Sequence, residues 1–345
     1  MNDTSRLVGL PTLISLAAFV IVVAGVRAAE AVVVPFLLSV FIAIISAPAL
    51  LWLEKKHVPR WLAMLAVLGT IITSAVLLSV LIGSSVKSFS QDLPHYQQRL
   101  SGLLEQFTVW MSQHGSYLTA DAVASYVNPG AAMQLVAELL NGLGSVFGNM
   151  FLIILTVVFI LFEASSMPGK LQAGFPNADK SLRVFAAIAN NVNRYLAIKT
   201  LTSLFTGAAV ATVLALIGVD YPLLWGIIAF LFNYIPTIGS VIAAVPAILL
   251  AFIQLGTGPA LVSTAFYVVI NVLVSNVLEP KLMGRQVGLS TLVVFLSLVF
   301  WGWVFGPVGM FLSVPLTVTA KLALESGPRT RWVAVLLGNN VEFQK

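Results

Sequence analysis

Apolar runs long enough to cross a bilayer recur along the chain, separated by short polar stretches. A helical crossing takes about 20 predominantly apolar residues. On that measure Leu7–Val26, Ala31–Leu53, Trp61–Val86, Val146–Phe162, Thr200–Val219 and Ala260–Leu278 predict full spans. From Tyr221 to Leu278 no side chain is charged and none is histidine, yet Asn233-Tyr-Ile-Pro-Thr-Ile-Gly239 and Val245-Pro246 break the run. A second broken run, Leu289 to Ala320, carries Phe305-Gly-Pro-Val-Gly309 and Val314-Pro315. In lipid every backbone N–H and C=O needs a partner, so an interrupted helix persists only where protein buries it or a watery cavity bathes it. Pro222–Ile235 and Pro307–Ala320 are short for crossings and suit re-entrant arms, although a pair of tilted crossings would leave later loops on the same side. Two such interrupted segments point to a transporter's binding region. The predicted fold is an all-α integral membrane protein, with about six full spans, two Pro/Gly-broken helical hairpins and an external helical segment.

Two polar stretches stand apart. In Lys87–Asn141 the residues Leu93, Tyr96, Leu100, Leu103, Phe107 and Trp110 are spaced alternately by three and four, a coiled-coil-like seam. It serves equally for packing on its own subunit or between subunits. Asn128-Pro-Gly130 is a turn signal, and Gly144-x-x-x-Gly148 permits close helix approach. In Asp179–Lys199 the apolar Leu182, Phe185, Ile188, Ala189, Val192 and Leu196 share a face opposed by Lys180, Arg183, Asn190 and Arg194. That pattern predicts a basic amphipathic helix in the membrane interface, an anchor in its plainest role and a gate in its sharper one. The chain thus parses as spans 1–3 (1–86), an external segment (87–145), a fourth span (146–162) and a cytoplasmic loop (163–199). A core transport region (200–325) and a cytoplasmic tail (326–345) complete it.

Composition agrees with the pattern. Hydrophobic residues make up 59% of the chain and charged residues 9%, with a mean hydropathy of +0.99; a soluble domain carries about 25% charged residues. The net charge of +5 does not point to nucleic acid, because the basic residues sit in short loops beside apolar spans. Placing the N-terminus inside leaves all but Arg27, Lys87 and Arg99 of the 18 Lys and Arg residues on the inner side, as the positive-inside rule asks. Both termini are therefore expected in the cytoplasm. Ala29-Glu-Ala31 imitates a signal cleavage site, but the preceding apolar run is long and its basic flank weak, which favours a retained span.

Candidate chemistry is mostly absent. His57, His95 and His114 all lie outside the apolar spans, and neither an H-E-x-x-H helix nor a Walker A loop occurs. No catalytic residue, metal ligand set or cofactor is expected, and transport is read as secondary or passive. Intramembrane carboxylates are the usual ion carriers, whereas Glu30, Glu163, Asp220 and Glu279 all sit at span ends. Asn271, Ser275 and Glu279 recur at a spacing of four, with Asn276 beside them, and form a polar stripe on one helix. Such a stripe glues helices at about 0.6 kcal/mol per contact, or lines a path. Pro236 leaves upstream carbonyls unpaired, and Asn233, Thr237 and Ser240 stand ready to satisfy them or a polar solute. With Gly239 and the echoing Gly306, Pro307 and Gly309, these residues make up the candidate substrate path.

Several motifs also carry a family likeness. Arg194-Tyr-Leu-x-x-Lys199, Leu224-Trp-Gly226, Phe230-Leu-Phe-Asn-Tyr-Ile-Pro-Thr-Ile-Gly239, Ile242-Ala-Ala-Val-Pro246, Val277-Leu-Glu-Pro-Lys281, Gly284-Arg285, Phe300-Trp-Gly302 and Val314-Pro-Leu316 together resemble the autoinducer-2 exporter family of bacterial inner-membrane permeases. The likeness is densest from Arg194 to Glu325 and does not extend residue by residue over Lys87–Asn141. It implies a homo-oligomeric helical permease, with a pentamer and an elevator-like movement among the family's proposed properties. It also implies export of a small polar signal or, in other members, sodium(lithium)/proton antiport. Arg194, Lys199, Lys281 and Arg285, all within these motifs, are candidates for gating or coupling. The lack of a midplane carboxylate favours a small polar organic solute over a cation. A membrane scaffold is the alternative from another class.

Overall fold

A chain that must satisfy its own backbone in lipid becomes helical, and this one does. The computed structural model describes residues 4–114, 149–164, 166–174, 178–236, 238–283, 288–327 and 330–338. The helices are α1 (Thr4–Ala28), α2 (Glu30–Lys55), α3 (Arg60–Gln113), α4 (Met150–Glu163), α5 (Met167–Gly174) and α6 (Ala178–Ile217). They continue with α7 (Pro222–Phe232), α8 (Gly239–Leu255), α9 (Thr257–Leu273), α10 (Glu279–Met283), α11 (Thr291–Ser326) and α12 (Arg331–Leu336). A π-helical turn, Val274–Leu278, joins α9 to α10. Beyond helices, the described residues hold a single isolated antiparallel bridge, Leu289 with Gly338. Among the described residues, five helical stretches are long and apolar enough to cross a membrane.

The chain forms two compact units. The first comprises Met1–Pro48, Leu152–Asn193 and Val287–Lys345; the second comprises Ala49–Phe151 and Arg194–Gln286. In the second, Phe89, Tyr96 and Leu100 of α3 pack with Val210 and Leu214 of α6, Trp225 of α7, Leu250 of α8 and Tyr267 of α9. The Phe89 ring stacks on Tyr96 and meets Trp225 edge-on, with centroids 6.0 and 5.8 Å away. Further along, α6 and α7 touch backbone to backbone. A Cβ on Gly207 would stand 2.7 Å from the Gly226 carbonyl, and one on Gly226 equally close to the Gly207 carbonyl. Lipid offers no hydrophobic reward for pairing helices, so close contact of this kind supplies dispersion energy in its place.

Two boundaries expected from the sequence fall inside continuous helices. The edge at Val86/Lys87 falls inside α3, a continuous helix of 54 residues. At 1.5 Å per residue α3 is about 80 Å long, against a hydrocarbon core of about 30 Å, so a large part must project from the bilayer. Tyr96 and Leu100 of the expected seam are buried in their own unit, while Phe107 and Trp110 are half exposed. The seam therefore packs first on its own subunit. Similarly, the expected interfacial helix and fifth span are one 40-residue helix, α6. A run of polar side chains did not end either helix, because a helix satisfies its backbone equally well in lipid and in water. Asn128–Gly130 and Gly144–Gly148 lie outside the described residues.

In the first unit, Ser39 ties α2 to α4 by donating to the Pro35 and Ile153 carbonyls, at 2.7 and 3.1 Å. Helix α11 is two helical arms joined at a break, where Phe305 (φ −127°, ψ 17°) and Gly306 (φ 60°, ψ −147°) leave helical geometry. Trp301 Nε1 donates to Thr317 Oγ1 at 3.0 Å across 16 residues. Along a straight helix that separation is about 24 Å, so the arms fold back on each other. A Cβ on Gly309 would lie 1.8 Å from the Trp301 carbonyl, which makes glycine obligatory at this crossing.

Candidate functional site

The first break closes a hairpin between α7 and α8. Pro222 starts α7 with its missing N–H at a position where none is needed, and the helix ends after 11 residues. That is about 16 Å, roughly half the hydrocarbon core. The chain then doubles back so closely that a Cβ on Gly239 would lie 1.8 Å from the Phe232 carbonyl.

A polar cluster lies beside it, built within the second unit. Asn233, only 5% exposed, donates from Nδ2 to Ser203 Oγ on α6 at 3.0 Å. Tyr234 donates from its hydroxyl to Thr200 Oγ1 at 2.7 Å. One turn away along α6, Lys199 Nζ donates to Glu279 Oε1 at 2.5 Å, and Thr202 Oγ1 donates to the same oxygen at 3.4 Å. The Lys199 and Glu279 side chains are 5% and 16% exposed. Of the three ion pairs among the described residues, the other two being Arg60–Glu54 and Lys170–Glu163, this is the one withdrawn from solvent. The cluster offers amide, hydroxyl, ammonium and carboxylate groups, and its two charges cancel.

The expected stripe on α9 does not run straight. Ser275 Oγ donates to Asn271 Oδ1 at 3.3 Å, as a spacing of four allows. Ser275 and Asn276 are exposed, however, while Glu279 turns toward Lys199. The π-helical turn is the cause: a wide turn admits an extra residue and rotates everything beyond it. Pro236 and Ser240 are half-buried, and Arg194 and Lys281 are exposed. Thr237 and Arg285 lie outside the described residues. The sequence reading missed Thr200, Thr202 and Ser203. The hydroxyl-rich run Lys199-Thr-Leu-Thr-Ser203 was a usable signal.

Gly306, Pro307 and Gly309 belong to the first unit and not to this cluster. A Cβ on Gly306 would stand 3.6 Å from Glu30 Oε1. The second break therefore lies level with the corner between α1 and α2, at the end of a 26-residue helix that is long enough to cross a bilayer. Its first arm, Thr291–Phe305, is about 22 Å long, against a hydrocarbon core of about 30 Å, a length compatible with either expected form, a hairpin or a pair of tilted crossings. The same unit holds a cavity of about 540 Å³ between α1 and α11, walled by Phe19, Val23, Phe300 and Val304. Its apolar wall suits acyl chains better than a polar solute.

In the second unit, three bonds clamp α3 to the hairpin and a fourth ties the entry of α7 to the end of α8. Tyr96 donates to Asp220 Oδ2 at 2.7 Å, Tyr221 donates to Asp92, Arg99 donates to the Gln254 carbonyl, and the Asp220 amide donates to Gln254 Oε1. Burial, and then the Asp92 carboxylate, push the Tyr221 phenol up to about 12.

Comparison with known proteins agrees with this architecture. A family model described as AI-2E family transporter matches residues 16–329. The AI-2 transport protein TqsA of Escherichia coli (strain K12) is 40% identical over 331 residues, covering 96% of each chain. A putative transport protein of Haemophilus influenzae is 41% identical over 344 residues, covering 96% of this chain and 97% of the relative. The putative transport protein YhhT of Escherichia coli (strain K12) is 34% identical over 330 residues. With a matching model over nearly the whole length and a polytopic helical fold, the chain belongs to the AI-2E family of membrane transporters.

Proposed function

We propose that the protein exports a small, neutral, hydroxyl-rich signal of the autoinducer-2 type across the bacterial inner membrane. The observation that carries this reading is the charge balance of the cluster at the first break. Lys199 and Glu279 neutralise each other, which leaves Asn233, Ser203, Thr200 and Tyr234 as hydrogen-bonding groups for an uncharged solute. A path lined by paired charges, amide and hydroxyl groups favours hydrogen-bonded recognition over ion binding. The name of the AI-2 transport protein TqsA, covering the same length, adds support. The placement of Lys and Arg supports cytoplasmic termini. A homo-oligomer is supported by the half-exposed Phe107 and Trp110 on the projecting part of α3.

Sodium(lithium)/proton antiport is the second reading, favoured by one observation: a carboxylate, Glu279, is largely withdrawn from solvent. Proteoliposomes containing the purified protein separate the two. Export predicts accumulation of autoinducer-2 that is independent of a sodium gradient. Antiport predicts sodium-dependent proton movement and no flux of the organic solute.

A further inference from the structure

The second break faces a charged and aromatic group of its own. Arg27, in the last turn of α1, holds its guanidinium 4.3 Å from the centroid of the Trp303 ring. Trp303 is 54% exposed, so much of the ring stays open. Glu30, the first residue of α2, is exposed, and its carboxylate makes no hydrogen bond or ion pair among the described residues. One of its oxygens points at the side-chain-free flank of Gly306, 3.6 Å from the place of a Cβ. Gly306 itself sits at φ 60°, and Pro307 follows without an N–H, so the interruption frees helix carbonyls just upstream.

We propose that Arg27, Glu30, Trp303 and Gly306 form a second solute-binding position, on residues of the first unit alone, selective for a vicinal diol. The substrate class rests on the export reading. Two adjacent hydroxyls suit the two oxygens of one carboxylate, which accepts both in charge-assisted bonds. The guanidinium supplies donors to the solute's remaining oxygen, and the exposed indole offers a flat surface to its C–H face. An apolar solute leaves carboxylate and guanidinium unpaired. A metal cation meets the like charge of Arg27 in the same cluster. Glycine at 306 keeps the approach to Glu30 open.

Isothermal titration calorimetry of the full chain in lipid nanodiscs tests this, with autoinducer-2 and D-ribose as probes and propan-2-ol as the control. The parent protein should give saturable heat with both diols and none with the control. Glu30→Gln, at an exposed side chain without partners, should leave thermal unfolding unchanged and weaken binding by about tenfold or more, the worth of a charge-assisted bond. Trp303→Ala should weaken it comparably. Equal binding by the parent and both variants overturns the site. A parent that binds neither diol, yet exports autoinducer-2 in liposomes, overturns it too and leaves the export reading intact. Diol binding lost in both variants, by a protein that exports nothing, upholds the site and removes the export reading.

Discussion

Lys199 and Glu279, 80 residues apart in the chain, meet at 2.5 Å in a nearly solvent-free pair that joins α6 to the start of α10. Removing one member of such a pair strands the other, at a cost of about 3–5 kcal/mol, whereas replacing both by apolar groups is often neutral. Glu279→Gln and Lys199→Met should each lower the unfolding temperature in detergent markedly. The double variant Lys199→Met/Glu279→Leu should recover most of the loss. If either single variant melts like the parent, the pair does not exist in the native protein. Flux by the double variant separates the readings, because export tolerates loss of the carboxylate and antiport does not.

The Asn233–Ser203 bond makes a sharper claim on transport. Asn233→Leu keeps the branched shape and removes the amide, leaving Ser203 without its donor. Export should fall by about tenfold or more, since one lost buried hydrogen bond to a polar solute is worth about 1–3 kcal/mol. Quantitative immunoblotting of membranes should show normal abundance. Unchanged flux at normal abundance removes Asn233 from the path.

Both breaks depend on absent side chains. Gly239→Ala and Gly309→Ala each force a methyl group to within 1.8 Å of a carbonyl oxygen, of Phe232 and Trp301 respectively. Backbone has to move, and both variants should lose several degrees of thermal stability. Gly25→Ala, with nothing near its Cβ position, is the matched control and should behave like the parent.

Tyr221 reports on the clamp between α3 and the hairpin. Its phenol, held up to about 12 against an ordinary 10.0 by burial and by Asp92, favours the protonated form in the folded state. Below pH 10 this preference contributes in full. Between about 10 and 12 the unfolded chain ionises first, so stability falls as pH rises through that window. Ultraviolet titration of tyrosinate should show a late-ionising group that Tyr221→Phe deletes. A titration identical in the variant contradicts the assignment.

The projecting part of α3 should meet a second copy. Native mass spectrometry in mild detergent should show multimers, and Phe107→Glu/Trp110→Glu should shift them toward monomer without unfolding the protein. A parent that remains monomeric while transporting excludes the contact.

The breaks were legible in the sequence because proline and glycine announce where a helix in lipid has to be interrupted. The buried pair was not. Lys199 follows a basic amphipathic stretch and reads as the end of a loop, yet the helix runs through it and turns its side chain inward. Glu279 lies at a spacing of four from Ser275, so a regular helix puts them on one face; the π-helical turn moves it to another, and no residue pattern at a period of 3.6 encodes that. The end of α3 was hidden for a simpler reason. Polarity marks where lipid stops, while the helix stops only where its hydrogen bonds do.

At Gly207 and Gly226 the backbones of α6 and α7 touch, and Phe230 and Ala211 pack directly against the two glycines. Two rods keyed together at so short a distance resist slipping past one another and are expected to travel as a single piece. That piece carries Lys199, Ser203 and Asn233 together. Any displacement that parts Lys199 from Glu279 therefore bends the chain elsewhere in the second unit, and the wide turn at Val274–Leu278 is its softest joint.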